Sequence, residues 1–191
     1  MKSTSKEEVR TMEKTLFTIN VFSENRVGLL NQISVIFTRR KLNIETLSVS
    51  PSSIKGVHKF TITTFSDAIT MAKLVKQIEK RIDVLRAFYF TDDEIVYQEI
   101  ALYKVPTAEL LNGNTLEKII RRHNARILEI TQDYTIVEKT GHTEETEALF
   151  NELKNYNITQ FIRSGRIAIT KSSTELVTQF IKEQEERFNN L

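Results

Sequence analysis

The sequence has no cysteine among its 191 residues, and this absence excludes several kinds of site at once. Disulfides, zinc–thiolate centres, iron–sulfur clusters and a cysteine nucleophile all need the missing side chain. The five glycines stand apart from one another, so the sequence holds no glycine-rich phosphate loop. The three histidines lie in different predicted elements, without the spacing of a metal-binding motif. We therefore assign no catalytic residue and no metal ligand.

Long apolar runs and clusters of one charge are also missing. No apolar run approaches the roughly 20 residues that cross a bilayer, and residues 1–14 mix both charges without the apolar core of a secretory signal. The 27 basic and 25 acidic residues are spread along the chain, unlike the basic face of a nucleic-acid binder. We expect a cytoplasmic protein that binds neither membrane nor nucleic acid.

The first half of the chain changes periodicity in a recognisable order. Phe17, Ile19 and Val21 alternate with polar residues, which predicts a half-buried strand. After Gly28 the apolar spacing becomes helical, and Asp67 is placed to cap a second helix. Further strands are predicted at 43–49, 57–65 and 82–90. The order strand–helix–strand–strand–helix–strand is the ferredoxin-like arrangement.

The second half repeats this order less clearly. Strands are predicted at 98–105, 125–130, 134–139, 158–162 and 166–170. Asn114 and Glu117 resemble a capping box for one helix, and a second helix is predicted at 143–156. The predicted fold class is α+β, with two ferredoxin-like βαββαβ modules. The predicted divisions are a polar extension at 1–14, modules at 15–91 and 98–172, and an amphipathic C-terminal helix at 173–191.

Several segments carry a resemblance to a known family. Residues 23–30, Ser-Glu-Asn-Arg-Val-Gly-Leu-Leu, resemble the signature of ACT domains, which are amino-acid-binding βαββαβ modules. Residues 37–51, 83–86 and 98–105 are similar to the acetohydroxyacid synthase small subunit. Segments at 126–131, 134–141 and 161–165 follow in the order that this family shows. The resemblance covers about residues 15 to 172.

The resemblance implies an N-terminal ACT domain, an ACT-like C-terminal domain and a homodimer formed through the ACT domains. It implies a non-catalytic regulatory subunit that activates a separate large subunit and mediates feedback inhibition by valine in branched-chain amino acid biosynthesis. Thiamine diphosphate, magnesium and FAD would then belong to the large subunit, and this chain would bind no cofactor.

The resemblance also implies a valine-binding site at the start of the first helix. Free amide groups at a helix N-terminus suit a carboxylate, and a glycine lets a small ligand approach the backbone. A facing segment would come from the partner subunit. Asn43, the asparagine of that segment, could instead end the preceding helix in the left-handed conformation. The implied valine-binding residues are Asn25, Val27, Gly28, Leu29 and Leu30, with Asn43 and Ile44 from the partner.

Two residues depart from the family pattern. Lys41 stands where the family often has glycine, and because a lysine pays more for a positive φ, we expect this helix to end differently. Arg26 places a bulky cation beside the implied site. We expect both to affect valine affinity more than the fold.

Other functions fit the sequence less well. Another tandem ACT-domain amino-acid sensor, resembling the glycine-cleavage repressor accessory protein, would have a similar length and layout. An RNA-binding module of this fold would need exposed aromatic residues amid basic charge, and that pattern is missing. A stand-alone enzyme lacks any catalytic constellation.

Overall fold

The computed structural model describes residues 14–111, 115–174 and 176–189. The first module is a four-stranded antiparallel sheet in the order β2-β3-β1-β4, with two helices on one face. Its elements are β1 (Thr15–Glu24), α1 (Leu29–Arg39), β2 (Thr46–Pro51), β3 (Val57–Ser66), α2 (Ala68–Glu79) and β4 (Val84–Phe90).

Strict alternation along β1 separates the two faces of this sheet. Phe17, Ile19 and Val21 are buried in the core under the helices, so Asn20 and Phe22 lie on the opposite face, as the period of a strand requires. The helices complete the core with Leu29, Ile33, Ile36 and Phe37 from α1, and Met71, Leu74, Val75 and Ile78 from α2.

The predicted cap of α2 is confirmed. The Asp67 carboxylate accepts a 2.8 Å hydrogen bond from the Thr70 amide, which satisfies a donor of the first turn.

The second module repeats the antiparallel order as β6-β7-β5-β8, which confirms the predicted α+β class with two βαββαβ modules. Short 3-10 turns lie at Asp92–Glu94 and Lys154–Tyr156. The main elements are β5 (Ile95–Pro106), α3 (Thr107–Leu111), α4 (Thr115–Arg122), β6 (Arg126–Ile130), β7 (Tyr134–Gly141), α5 (Thr143–Leu153), β8 (Gln160–Arg163), β9 (Ile167–Thr170) and α6 (Leu176–Asn189).

Strand β5 is longer than predicted and takes part in two ladders. It begins at Ile95 rather than Gln98, and its residues 95–98 pair with β9. Its residues 99–106 pair with β7, and residues 101–104 also pair with β8. The predicted final strand, β9, therefore pairs only with the start of β5 and lies off the β6-β7-β5-β8 order. The break at Ser164 and Gly165 separates β8 from β9.

The predicted C-terminal helix is present as α6. Val177 is buried, and the Phe180 ring lies 5.0 Å from the Arg86 guanidinium of β4. The predicted cap Asn114, the first 13 residues of the predicted extension and the side chain of Phe188 lie outside the described residues. No helix in the described ranges is long and apolar enough to span a membrane.

Candidate functional site

The loop between β1 and α1 presents an uncapped helix start. Gly28 is the N-cap residue of α1, in the left-handed conformation with φ 87° and ψ −8°. No side chain caps the helix, and its first turn holds no acidic residue. A Cβ at Gly28 would meet nothing within 4 Å, so the backbone angle, and not crowding, is what favours glycine here. The Leu29 amide donates to the Arg26 carbonyl at 3.4 Å, whereas the amides of Leu30 and Asn31 have no acceptor among the described residues and are available to an anion.

Of the side chains around Gly28, some are exposed to solvent and one is buried in the core. Asn25 and Leu30 are exposed, and Val27 is completely exposed at 105%. Leu29 is buried in the core, so only its backbone is available to a ligand.

The second predicted segment lies between α1 and β2. Strand β2 begins at Thr46, later than the predicted Asn43, because residues 42–45 form a connecting segment. Thr64 donates a 2.6 Å hydrogen bond to the Asn43 carbonyl, and the exposed Asn43 amide donates to Glu45. Ile44 packs against the core of the first module. In the described chain, no hydrogen bond or ion pair joins Asn43 to residues 25–30.

Lys41, not Asn43, ends α1 in the left-handed conformation, with φ 55°. The Leu42 amide donates to Phe37 and the Lys41 amide to Thr38, which is the hydrogen-bond pattern of a Schellman motif. The expectation that lysine would change how this helix ends is wrong, because the motif forms despite the side chain. Asn124, with φ 50°, holds the same place after α4 in the second module.

Arg26 forms ion pairs in the loop. Its Nε lies 3.1 Å from a Glu24 oxygen and 3.9 Å from an Asp83 oxygen. Ile82, beside Asp83, is 96% exposed. The Asp83 carbonyl accepts a hydrogen bond from the Glu24 amide, which brings this turn beside the β1–α1 loop. Exposed apolar side chains therefore flank the helix start.

Sequence reasoning missed a buried ionic cluster between the two modules. Arg166 and Glu99 are each only 3% exposed. One Arg166 nitrogen donates to Thr18 of β1 at 3.2 Å and to Asp92 at 2.7 Å. The guanidinium carbon lies 3.8 Å from the centroid of the Tyr97 ring, and burial, the largest influence, raises the pKa of that phenol. The only signal in the sequence was an arginine directly before the apolar run Ile167-Ala168-Ile169.

Glu99 is held by groups from α5, from β8 and from the segment before β9. The Thr143 hydroxyl of α5 donates to Glu99 at 2.8 Å, and Nε atoms of Arg163 and Arg166 lie 3.5 and 3.9 Å from its two oxygens. The cluster is a structural link, because its charges compensate one another inside the protein. Within the described ranges, no group of three or more histidine or acidic side chains is placed to hold a metal ion.

Known proteins match both modules in sequence. Residues 19–86 match the family model described as the AHAS small subunit-like ACT domain, and residues 98–172 match the small subunit of acetolactate synthase. The acetolactate synthase small subunit of Bacillus subtilis is 32% identical over 163 residues, which cover 85% of this chain and 93% of that protein. The Aquifex aeolicus small subunit is 29% identical, over 94% of this chain and 91% of that protein.

A solved structure supports the same fold. The crystal structure of the acetolactate synthase small subunit from Thermotoga maritima superposes with a TM-score of 0.75 at 22% identity, covering 83% of this chain and 99% of that one. The fold agrees in both modules, and the Bacillus relative matches over most of both chains. The chain therefore belongs to the family of acetolactate synthase small subunits.

Proposed function

We propose that this protein is a non-catalytic, cytoplasmic regulatory subunit that activates the catalytic subunit of acetolactate synthase and makes it sensitive to valine. In this assignment thiamine diphosphate, magnesium and FAD bind to the catalytic subunit, and this chain binds none of them. Membership of the small-subunit family supports a catalytic partner. The proposed response to valine depends on a binding site at the helix start at Gly28.

The observation that carries the valine site is the uncapped, left-handed entry to α1. The valine carboxylate binds the first-turn amides, where the helix dipole also favours negative charge. Asn25 supplies a polar contact from the same loop. Val27 and Leu30 are exposed apolar neighbours that can contact the isopropyl group.

A second copy of the chain completes this site in the proposal. Strand β2 is an edge strand with one free side, and a free edge pairs readily with another strand. The exposed Val27 and Ile82 add an apolar rim beside the Gly28 loop. Asn43 and Ile44 of the partner then face the Gly28 loop. Valine can change the activity only if it binds the two arrangements of the complex with different affinity.

The decisive experiment measures acetolactate formation by the cognate large subunit, with and without this protein, across a valine titration. The Gly28→Asp variant places a carboxylate at the helix start, where it competes for the amides that valine needs. We expect this variant to activate normally and to need at least tenfold more valine for half-maximal inhibition.

Gly56→Asp is the matched control. Gly56 also has a positive φ, of 82°, and open space around its Cβ position, so both substitutions impose a similar backbone strain. The control should keep the valine response of the unmodified protein. Equal loss of the response in both variants would contradict the valine site, and absence of activation by the unmodified protein would contradict the regulatory role.

A further inference from the structure

A groove of about 530 Å³ lies between the end of α1 and the last turns of α2. Its volume falls within the range of small-molecule pockets, roughly 300–1,000 Å³. The groove is at the opposite end of α1 from the Gly28 loop, and the 11 residues of that helix span about 16 Å. The described residues that line the groove are Arg40, Lys73, Lys76, Gln77, Lys80 and Arg81.

Five of these lining residues are cations, and they come from two separate parts of the sequence. Arg40 directly follows α1, and the other four lie on α2 or just beyond its end. Lys73, Lys76 and Lys80 recur every three or four residues, so they lie on one side of the helix. Although basic residues are spread along the sequence, the packing of α1 against α2 thus brings these five charges together.

The described part of the chain neutralises little of this charge. The side chains of the three lysines and of Arg81 form no ion pair or hydrogen bond with a described residue. The C-terminus of a helix carries about half a negative charge, so the two helix ends offset only about one of the five positive charges. The groove therefore has a positive potential, which favours an anion with several negative charges.

The Arg40 guanidinium is held in a fixed position at the groove. Its Nε donates to the Gln77 side-chain oxygen at 2.9 Å, and Nη2 donates to the Lys73 carbonyl at 3.3 Å. Its other terminal nitrogen, Nη1, makes no hydrogen bond with a described residue. Because the side chain is already ordered, an anion that accepts from Nη1 would lose less conformational entropy on binding.

Arg81 contributes an unused donor to the same groove. Its Nε is buried and has no hydrogen-bond partner. Buried donors in native proteins nearly always have a partner, which is often a water molecule or a bound ion. An arginine side chain has several rotatable bonds, so a small rotation towards an anion in the groove would give this donor an acceptor.

We propose that this groove binds a small anion with two or more linked phosphate groups. A phosphate group combines several acceptor oxygens with a multiple charge, and lysine binds it as a point charge. Residues 73 and 80 lie about 10 Å apart along the helix axis, so linked phosphates can contact several lysines at once. The proposed ligand differs in chemistry from valine, and the proposal does not rest on the regulatory function proposed above.

Four probes test this class by isothermal titration calorimetry on the full chain. Tripolyphosphate, pyrophosphate and orthophosphate differ in the number of linked phosphate groups, and citrate is a multiply charged anion without phosphate. We expect tripolyphosphate to bind saturably at one site per chain, orthophosphate at least tenfold more weakly, and citrate more weakly than pyrophosphate. Absence of saturable tripolyphosphate binding, or equal affinity for tripolyphosphate and orthophosphate, would overturn the proposal. Citrate binding as tight as that of pyrophosphate would overturn the phosphate class.

Lys76→Glu should weaken tripolyphosphate binding at least tenfold, because it reverses one charge of the groove. Lys118→Glu is its matched control, since Lys118 is also an exposed lysine on a helix but lies on α4, away from the groove. An equal loss in both variants would show that only the net charge matters, which would contradict a site in the groove. Gly28→Asp should bind normally, and loss of binding in that variant would place the probe at the start of α1 instead. Lys73→Glu, at a second exposed lysine of the groove, repeats the test should Lys76→Glu not fold.

Discussion

At the scale of single residues, left-handed backbone conformations occur at both ends of α1, the helix whose start forms the candidate site. Gly28 opens α1 and Lys41 follows its last turn, so one helix has a left-handed residue near each end. The sequence predicted the role of Gly28 as the entry to a helix, because a glycine there adopts φ > 0 without cost. It did not predict Lys41, since lysine disfavours that conformation and the surrounding hydrogen bonds impose it.

Lys41→Gly should therefore stabilise the protein. The left-handed conformation is about 1 kcal/mol less favourable for a residue with a Cβ, whereas glycine adopts it freely. We therefore expect the free energy of unfolding to rise by about 0.5–1 kcal/mol. Asn124→Gly should give a smaller gain, because asparagine tolerates this conformation better.

Urea denaturation followed by circular dichroism measures both changes. Lys55→Gly, at a turn position without a positive φ, is the control and should give no gain. A loss of stability in Lys41→Gly would contradict this account of the helix end.

At the scale of elements, the observed strands match the predicted ones where the apolar alternation is strong. They differ from the prediction where distant residues decide the pairing. Strand β1 has its apolar face where the alternation predicts it, but the strand is not half-buried as predicted, because Thr18 and Asn20 on its other face are buried too. The first residues of β5 and the pairing of β9 were missed, because β9 is only four residues long and its partner residues lie 69 to 75 positions earlier. Short strands carry too little pattern to identify their partners.

The β6–β7 edge of the second sheet contains a nearly buried carboxylate that should respond to pH. Glu138 accepts hydrogen bonds from the Thr140 hydroxyl and from Arg126 of β6. The Thr140 hydroxyl, followed by Arg126, lowers the pKa of Glu138 from its ordinary value of 4.5. A lowered pKa in the folded state contributes stability above this ordinary value, and that contribution is lost as pH falls through the folded pKa.

Glu138→Gln should therefore destabilise the protein at pH 7 and match the unmodified protein more closely near pH 3. The measurement is the urea midpoint across this pH range. Glu129→Gln changes an exposed carboxylate of the neighbouring strand that has no ion pair among the described residues, and it is the matched control. A stability difference for Glu138→Gln that is constant from pH 7 to pH 3 would exclude the proposed linkage.

At the scale of the whole molecule, the two modules are joined by a polar link that no local pattern could reveal. The hydrogen bond from Arg166 to Thr18 connects residues 148 positions apart. Periodicity predicts which residues of a strand face inward, but it does not predict which element of another module they will meet. For the same reason, the sequence could propose Asn43 and Ile44 as part of the candidate site without placing them opposite a particular surface.

Arg166→Met should cost about 3 kcal/mol, since it removes one partner of a buried ion pair and leaves the Glu99 carboxylate with less compensation. The double variant Arg166→Met with Glu99→Gln should recover part of that loss, because the uncompensated charge is then absent. Arg121→Met removes an exposed partner of an i,i+4 pair on α4 and should cost less than about 0.5 kcal/mol. Thermal and urea unfolding measure all three. Glu99→Gln alone is measured in the same way, and a loss in the double variant equal to the sum of the two single losses would contradict a coupled pair.

The pairing of β5 with β9 affects how the N-terminal module would behave if it were expressed without the second module. The first residues of β5 pair with β9. The segment after β9 leads to Val177, which lines a cavity together with Phe88 and Phe90 and so covers these rings. A fragment that ended at residue 91 would keep every strand of the first sheet, but it would lose this cover. Its aromatic face would then be open to water, and such a surface promotes aggregation. The N-terminal module expressed alone should therefore be less soluble than the full chain, even though its own sheet is complete.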